Sequence, residues 1–185
     1  MKKHAILSAT GEDKVGVADD LTAALANRNI EIEESRWTAL KGRFALVAEV
    51  CGNSSDIKSL DRDLATLGAN LGFGLHLKLL EPEPPKERGQ QFWIESYSRG
   101  PSGVAAVTGV LKKHGVNIED LETEASTASW TSAVTFQMKA RITIPSSCPR
   151  ARLREELREL ETDRNIDIVI KPCSALAHEH DLSTV

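Results

Sequence analysis

The stretch "LEPEPPKERGQQ", Leu80 to Gln91, cuts the 185-residue chain almost in half, and the two sides carry the same order of apolar patterns. Pro82, Pro84 and Pro85 stiffen this seam and remove backbone donors, while its charges keep it in water. A chain divided in this way reads first as an internal repeat. On the left, "HAILSA" reads as a short strand, and the loop Thr10 to Val15 leads into a helix with Val17, Leu21, Ala24 and Leu25 on one face. "NIEIEES" alternates Ile30 and Ile32 with Glu31 and Glu33, a half-buried strand, and "RFALVAEV" puts Phe44, Leu46, Ala48 and Val50 on one face of a third. Ser54, Ser55 and Asp56 offer N-caps to a helix carrying Ile57, Leu60, Leu64 and Leu67. Leu75, Leu77 and Leu79 then alternate in a last strand.

On the right, "QFWIESYS" is a strand, and Gly100-Pro101-Ser102-Gly103 opens a helix with Val104, Val107, Thr108 and Leu111 on one face. "VNIEDLE" is strand-like, and "AVTFQMKARITI" alternates Val134, Phe136, Met138, Ala140, Ile142 and Ile144 with polar residues. Cys148-Pro149 suits a helix start ahead of Leu153, Leu157 and Leu160, and "NIDIVIK" closes the half. The order is βαββαβ twice, which predicts an α+β chain of two ferredoxin-like units, each an antiparallel sheet with helices on one face. The expected boundaries are residues 1–81 for the first unit, 82–90 for the linker, 91–173 for the second unit and 174–185 for a disordered tail.

Composition removes several function classes. A hydrophobic content of 41% and a charged content of 27% are those of a globular protein, and no apolar run approaches the ~20 residues that cross a bilayer. No membrane partner and a cytoplasmic location are therefore expected. A net charge of −4 argues against a broad footprint for nucleic acid. Lys41 to Val50 has the basic-Gly-aromatic look of an RNA-binding strand, but Phe44 shares its face with Leu46, Ala48 and Val50 and reads as core. Cys51, Cys148 and Cys173 are too few and too scattered for a CxxC metal or disulfide framework. No metal or cofactor is expected. His4, His76 and His114 read as isolated, and His178 and His180 as part of the tail. The acid pairs Asp19-Asp20 and Glu155-Glu156 read as solvent-face charges, and no nucleophile–base order, P-loop or dinucleotide fingerprint is present, so no catalytic residue is assigned. Trp130 falls in an expected hairpin, where it would pack on a neighbouring unit or meet a partner.

Two junctions remain. "ATGEDKVGVADDL" and "SYSRGPSGVAAV" each place glycines between a first strand and a first helix. Such a junction serves either as a tight turn or as a seat for a small anion, because glycine allows positive φ and close approach to N–H groups at a helix start. "GEDKVGVADDLTAALANRNIEIEES" resembles the ACT domain pattern, and "SRGPSGVAAVTGVLKKHGVNIEDLE" resembles it again, with Gly103-Val104 answering Gly16-Val17 and Asn117-Ile118 answering Asn29-Ile30. The resemblance runs from about His4 to Pro172. Two such units without a catalytic domain are similar to the family of glycine cleavage system transcriptional repressors.

The resemblance implies a non-enzymatic amino-acid-sensing module that acts on a protein partner, with the ligand held between ACT units of a homo-oligomer, a dimer in the simplest case. Carried over residue by residue, the ligand-binding candidates are Gly11, Asp13, Gly16, Val17 and Asn29 in the first unit. In the second they are Gly100, Ser102, Gly103, Val104 and Asn117. Main-chain donors near Gly16 and Gly103 would take a carboxylate, and Asp13 or an asparagine oxygen an ammonium. This chain departs from the pattern at Lys14-Val15, where the family commonly has Arg-Pro, and lacks an acidic residue between Arg99 and Gly103. Two readings of another class stay open beside it: a small ferredoxin-like enzyme or enzyme subunit, and a ligand-free oligomerisation module.

Overall fold

Period-two alternation, capped glycines and amphipathic helices organise this computed structural model into two units, Met1–Pro84 and Pro85–Val185. The structure describes residues 2–81, 89–100, 102–127 and 134–173, so Trp130, His178, His180 and the expected linker and tail lie wholly or largely outside the described residues. The first unit runs β1 (Lys2–Glu12), α1 (Val17–Ala26), β2 (Glu31–Leu40), β3 (Arg43–Asn53), α2 (Ser54–Leu71) and β4 (Gly74–Leu79). The second runs β5 (Gly89–Ser98), α3 (Ser102–Lys113), β6 (Asn117–Thr127), β7 (Val134–Pro145), α4 (Arg150–Arg164) and β8 (Asp167–Pro172). All the pairings are antiparallel, in the orders β2-β3-β1-β4 and β6-β7-β5-β8. The two ferredoxin-like α+β units expected from the sequence are therefore present.

Each sheet turns one face to its helices. In the first unit Ala5, Leu7, Ala9, Phe44, Leu46, Ala48 and Val50 pack against Val17, Leu21 and Leu25 of α1 and Ile57, Leu60 and Leu67 of α2. In the second, Ile94, Met138, Ala140 and Ile142 meet Val107 and Leu111 of α3 and Leu153 and Leu157 of α4. Each fully buried aliphatic side chain contributes roughly 1.5–3 kcal/mol, which makes these faces the main hold on both units.

The second strand of each unit departs from expectation. Ile30 is buried and Ile32 half-buried as the alternation requires, but the rest of β2 is exposed, and β6 behaves in the same way. Both strands lie at a sheet edge, paired on one side only. The cap of α2 also differs: Asn53 occupies that position without a side-chain cap bond, and Ser54, Ser55 and Asp56 fall inside the helix.

The repeat itself is offset from the pairing expected from the glycines. Val17 N–H reaches Lys14 O at 3.3 Å, and Gly103 N–H reaches Gly100 O at 3.2 Å. Ile30 N–H bonds Leu25 O as Val116 N–H bonds Leu111 O. Asn29 (φ 56) and Gly115 (φ 66) are the left-handed residues that end the two helices. Val17 therefore answers Gly103, Gly16 answers Ser102, Asn29 answers Gly115 and Glu31 answers Asn117. Glycine was matched to glycine in the sequence, whereas the structure matches helix phase.

Candidate functional site

The two junctions carry glycines for different reasons. In the first unit Gly11 sits in β1 opposite Phe44, and a Cβ there would lie 2.5 Å from the Cβ of Phe73. Gly11 is small so that Phe73 can pack over the strand. Phe73 and Phe44 meet edge-to-face at 5.3 Å, and Trp37 stacks on Phe44 at 4.5 Å. Phe44 is 2% exposed, so it is a core residue and not a platform for bases.

Beyond Glu12 the chain turns outward. Asp13 N–H bonds Gly42 O at 2.9 Å, and Val15 is fully exposed. Lys14 and Glu12 form a 2.6 Å ion pair; the Lys14 hydrogen bond, then its charge, hold the Glu12 carboxyl below its ordinary range. Gly16 is the N-cap of α1 with φ 98, a left-handed conformation that glycine adopts without strain. It offers no side-chain cap, and a Cβ built on it would meet nothing nearer than an Asp20 carboxylate oxygen at 3.9 Å. Asp20 N–H turns back to Gly16 O, but among the described residues the N–H groups of Ala18 and Asp19 have no backbone acceptor. The mouth of α1 is thus open and lined by uncommitted donors. Asp19 and Asp20, both exposed in its first turn, place negative charge beside them. Val17 points the other way, buried in the core.

In the second unit the glycine of α3 serves packing on the inward side of the helix, where Val17 stands in the first unit. Gly103 is buried, and a Cβ there would collide with Ser98 Oγ and lie 2.5 Å from Ser98 Cβ. Ser98 Oγ donates to Gly100 O at 2.8 Å, which holds the turn from within. Ser102 is exposed, Val104 packs on the core, and the first turn carries no acid.

The asparagines are not part of either mouth. Asn29 and Asn117 follow the far ends of α1 and α3, so roughly 15 Å of helix separates Asn29 from Gly16 within one unit. Asn117 donates to Glu119 Oε1 at 2.8 Å in a shallow depression lined by Gln91, Gly115 and Thr143.

Two clusters had no counterpart in the sequence reading. Glu156, expected on a solvent face, is only 15% exposed; it accepts from Lys113 Nζ at 2.8 Å, with His114 Nε2 at 3.3 Å and Arg152 Nε at 3.7 Å beside it. The Lys113 hydrogen bond, with His114 close by adding to it, outweighs burial and holds its carboxyl below the ordinary range. His4 is likewise not isolated: it lies against Glu33, Glu49 and Cys51 on the sheet face away from the helices. Both clusters join residues more than 25 positions apart, so strand or helix packing creates them, and no local motif announces them.

Among the described residues no helix is long and apolar enough to cross a membrane. The family model for the ACT domain matches residues 3–78. The glycine cleavage system transcriptional repressor of Escherichia coli K12 is 21% identical over 163 residues, covering 88% of this chain and 86% of its own. The UPF0237 protein YjhC of Lactococcus lactis is 30% identical over 75 residues, which span 40% of this chain and 86% of that protein. A crystal structure of an unknown protein from Galdieria sulphuraria superposes with a TM-score of 0.81 at 27% identity, over 93% of this chain and 99% of the other.

Proposed function

The first unit belongs to the ACT domain family, and on that premise we propose that the chain is a regulator without catalytic chemistry that binds a small amino acid at the mouth of α1. The observation that carries this reading is Gly16: a left-handed N-cap with open space around it and unpaired donors behind it. A ligand carboxylate placed there would accept from Ala18 and Asp19 N–H and gain from the helix dipole. The acids Asp13, Asp19 and Asp20 would repel a bare anion and accept from an ammonium, so the site favours a zwitterion over a simple carboxylate. Glycine leads the candidates, because the Escherichia coli relative is a glycine cleavage system transcriptional repressor. By the same likeness, the partner is a transcriptional regulator of amino-acid metabolism, and ligand binding acts by favouring one of two arrangements of the contact with it.

Calorimetry of the full chain against the twenty amino acids, with acetate and propionate as amine-free controls, tests the proposal. A ligand at 100 times its Kd stabilises the protein by about 2.7 kcal/mol, a clear rise in Tm. Glycine or another small amino acid should give it, acetate should not, and Asp13→Ala should weaken it. No response to any of the twenty refutes the reading.

A further inference from the structure

Three neighbouring strands of the first unit bring a histidine, a thiol and a carboxylate to one corner of the sheet, and we propose that His4, Cys51 and Glu33 form a binding site for a zinc-class divalent cation. The inference does not rest on amino-acid binding. His4 of β1 pairs directly with Cys51 of β3. On the other side of β3 the register of β2 slips between Ile32 and Glu34, and this bulge re-aims Glu33 toward the same corner. The three ligand atoms lie within 4.8 Å of one another.

The spacing of the sulfur and the imidazole suits a tetrahedral ion. Cys51 Sγ and His4 Nε2 stand 3.7 Å apart. Zinc bonds of about 2.3 Å to sulfur and 2.0–2.1 Å to nitrogen at a tetrahedral angle require about 3.6 Å. The other ring nitrogen, Nδ1, lies 3.0 Å from Glu49 Oε1 and 3.5 Å from Glu33 Oε2. A proton on Nδ1 donated to Glu49 leaves the Nε2 lone pair facing the sulfur, the carboxylate–histidine–metal arrangement that orients ligating imidazoles. Glu33, half-exposed and 3.5 Å from Nδ1, supplies the third ligand by swinging its carboxylate to the Nε2 side, and water completes the shell. Cys51 itself is buried; desolvation first, and the Glu33 and Glu31 carboxylates with it, hold its thiol above the ordinary range against the pull of Lys2. Lys2 is engaged by Glu31 at 3.0 Å, so the corner holds more negative charge than it neutralises. On binding, the cation takes the Cys51 thiolate as ligand and the thiol proton leaves to solvent.

The second unit shows that the fold does not require this set. In its register Gln91 stands where His4 does, Thr143 where Cys51 does and Arg141 where Glu49 does, although the bulge at Glu119 is retained. The strands pair equally well without the ligands, so the set is not needed for packing.

The test is a titration of untagged, chelator-stripped full-length protein with cobalt(II), followed by absorption. One equivalent should produce a thiolate-to-cobalt charge-transfer band with tetrahedral d–d absorption, and zinc(II) should bleach both. Cys51→Ser should abolish the charge-transfer band; His4→Gln, on a half-exposed strand position that leaves the core untouched, should weaken binding at least 100-fold. Glu49→Gln should weaken it about 10–100-fold. Cys148→Ser, Cys173→Ser and His178→Ala with His180→Ala should leave the signal unchanged. A missing band at one equivalent, or a band that survives in Cys51→Ser or at full affinity in His4→Gln, overturns the site.

Discussion

Replacing Gly103 by alanine should destabilise the second unit, and replacing Ser98 by glycine in the same chain should remove most of that loss. The new Cβ would collide with Ser98 Oγ, lie 2.5 Å from Ser98 Cβ and touch Ile166 Cδ1 at 3.6 Å. Neither side can yield easily. Ser98 is fixed by its pairing with Phe136 and by its bond to Gly100 O, and α3 is held by the wholly buried Val107 and Leu111. Overpacking of this kind costs about 1–3 kcal/mol. The better helix propensity of alanine returns at most about 1 kcal/mol, less in a first turn, so a net loss on the order of 1–2 kcal/mol is expected. Ser98→Ala removes the hydroxyl but keeps the Cβ and should relieve the loss only in small part; Ser98→Gly should relieve most of it. The first unit already displays the compensated arrangement, since Gly11, opposite Phe44 as Ser98 is opposite Phe136, accompanies the buried Val17. Hydrogen exchange at the Val107 and Leu111 amides, with urea unfolding of the full chain, gives the double-mutant cycle. If Gly103→Ala costs the same in the Ser98→Gly background, or costs nothing in the native one, contact with Ser98 is not the reason for the glycine.

Gly16→Ala should cost about 1–2 kcal/mol through its left-handed φ alone, since nothing obstructs the side chain, and Gly16→Asn should cost less; urea midpoints separate the two. Glu156, held below its ordinary value near 4.5 by the Lys113 hydrogen bond and by His114, contributes stability that is present above that value and lost as pH falls through its lower folded value. Unfolding midpoints from neutral to acid pH should therefore fall less steeply in Glu156→Gln than in the parent chain, and identical slopes would remove the carboxylate from the account.

What could be read from the sequence follows what was covered. The alternations of β3 and β7 predicted their strands because helices bury one face of each, so every second residue answers to the core. The edge strands were legible only where that layer reaches them, at Ile30, Ile32 and Ile118. The glycines misled because one residue type answers two needs: conformational freedom at Gly16, and absence of volume at Gly103. Composition cannot tell these apart. Cys51 and His4 are 47 positions apart, and only strand register joins them. A faint signal existed, since Cys51 follows Val50 in the phase that faces away from the core, but the bulge that delivers Glu33 has no sequence mark.

The divergence of the two units bears on how many ligands one chain takes. Both keep the same backbone turn into the first helix, with matching bonds from Val17 to Lys14 and from Gly103 to Gly100. The first has a left-handed glycine cap with acids beside it; the second has Ser102 in the position of Gly16 and carries no acid in its first turn. A zwitterion needs both halves of its recognition at once, donors for the carboxylate and acceptors for the ammonium. The first turn of α3 lacks the acidic acceptors. The amino-acid titration should therefore close at one molecule per chain, and a stoichiometry of two would show that ammonium recognition comes from groups other than the acids at α1.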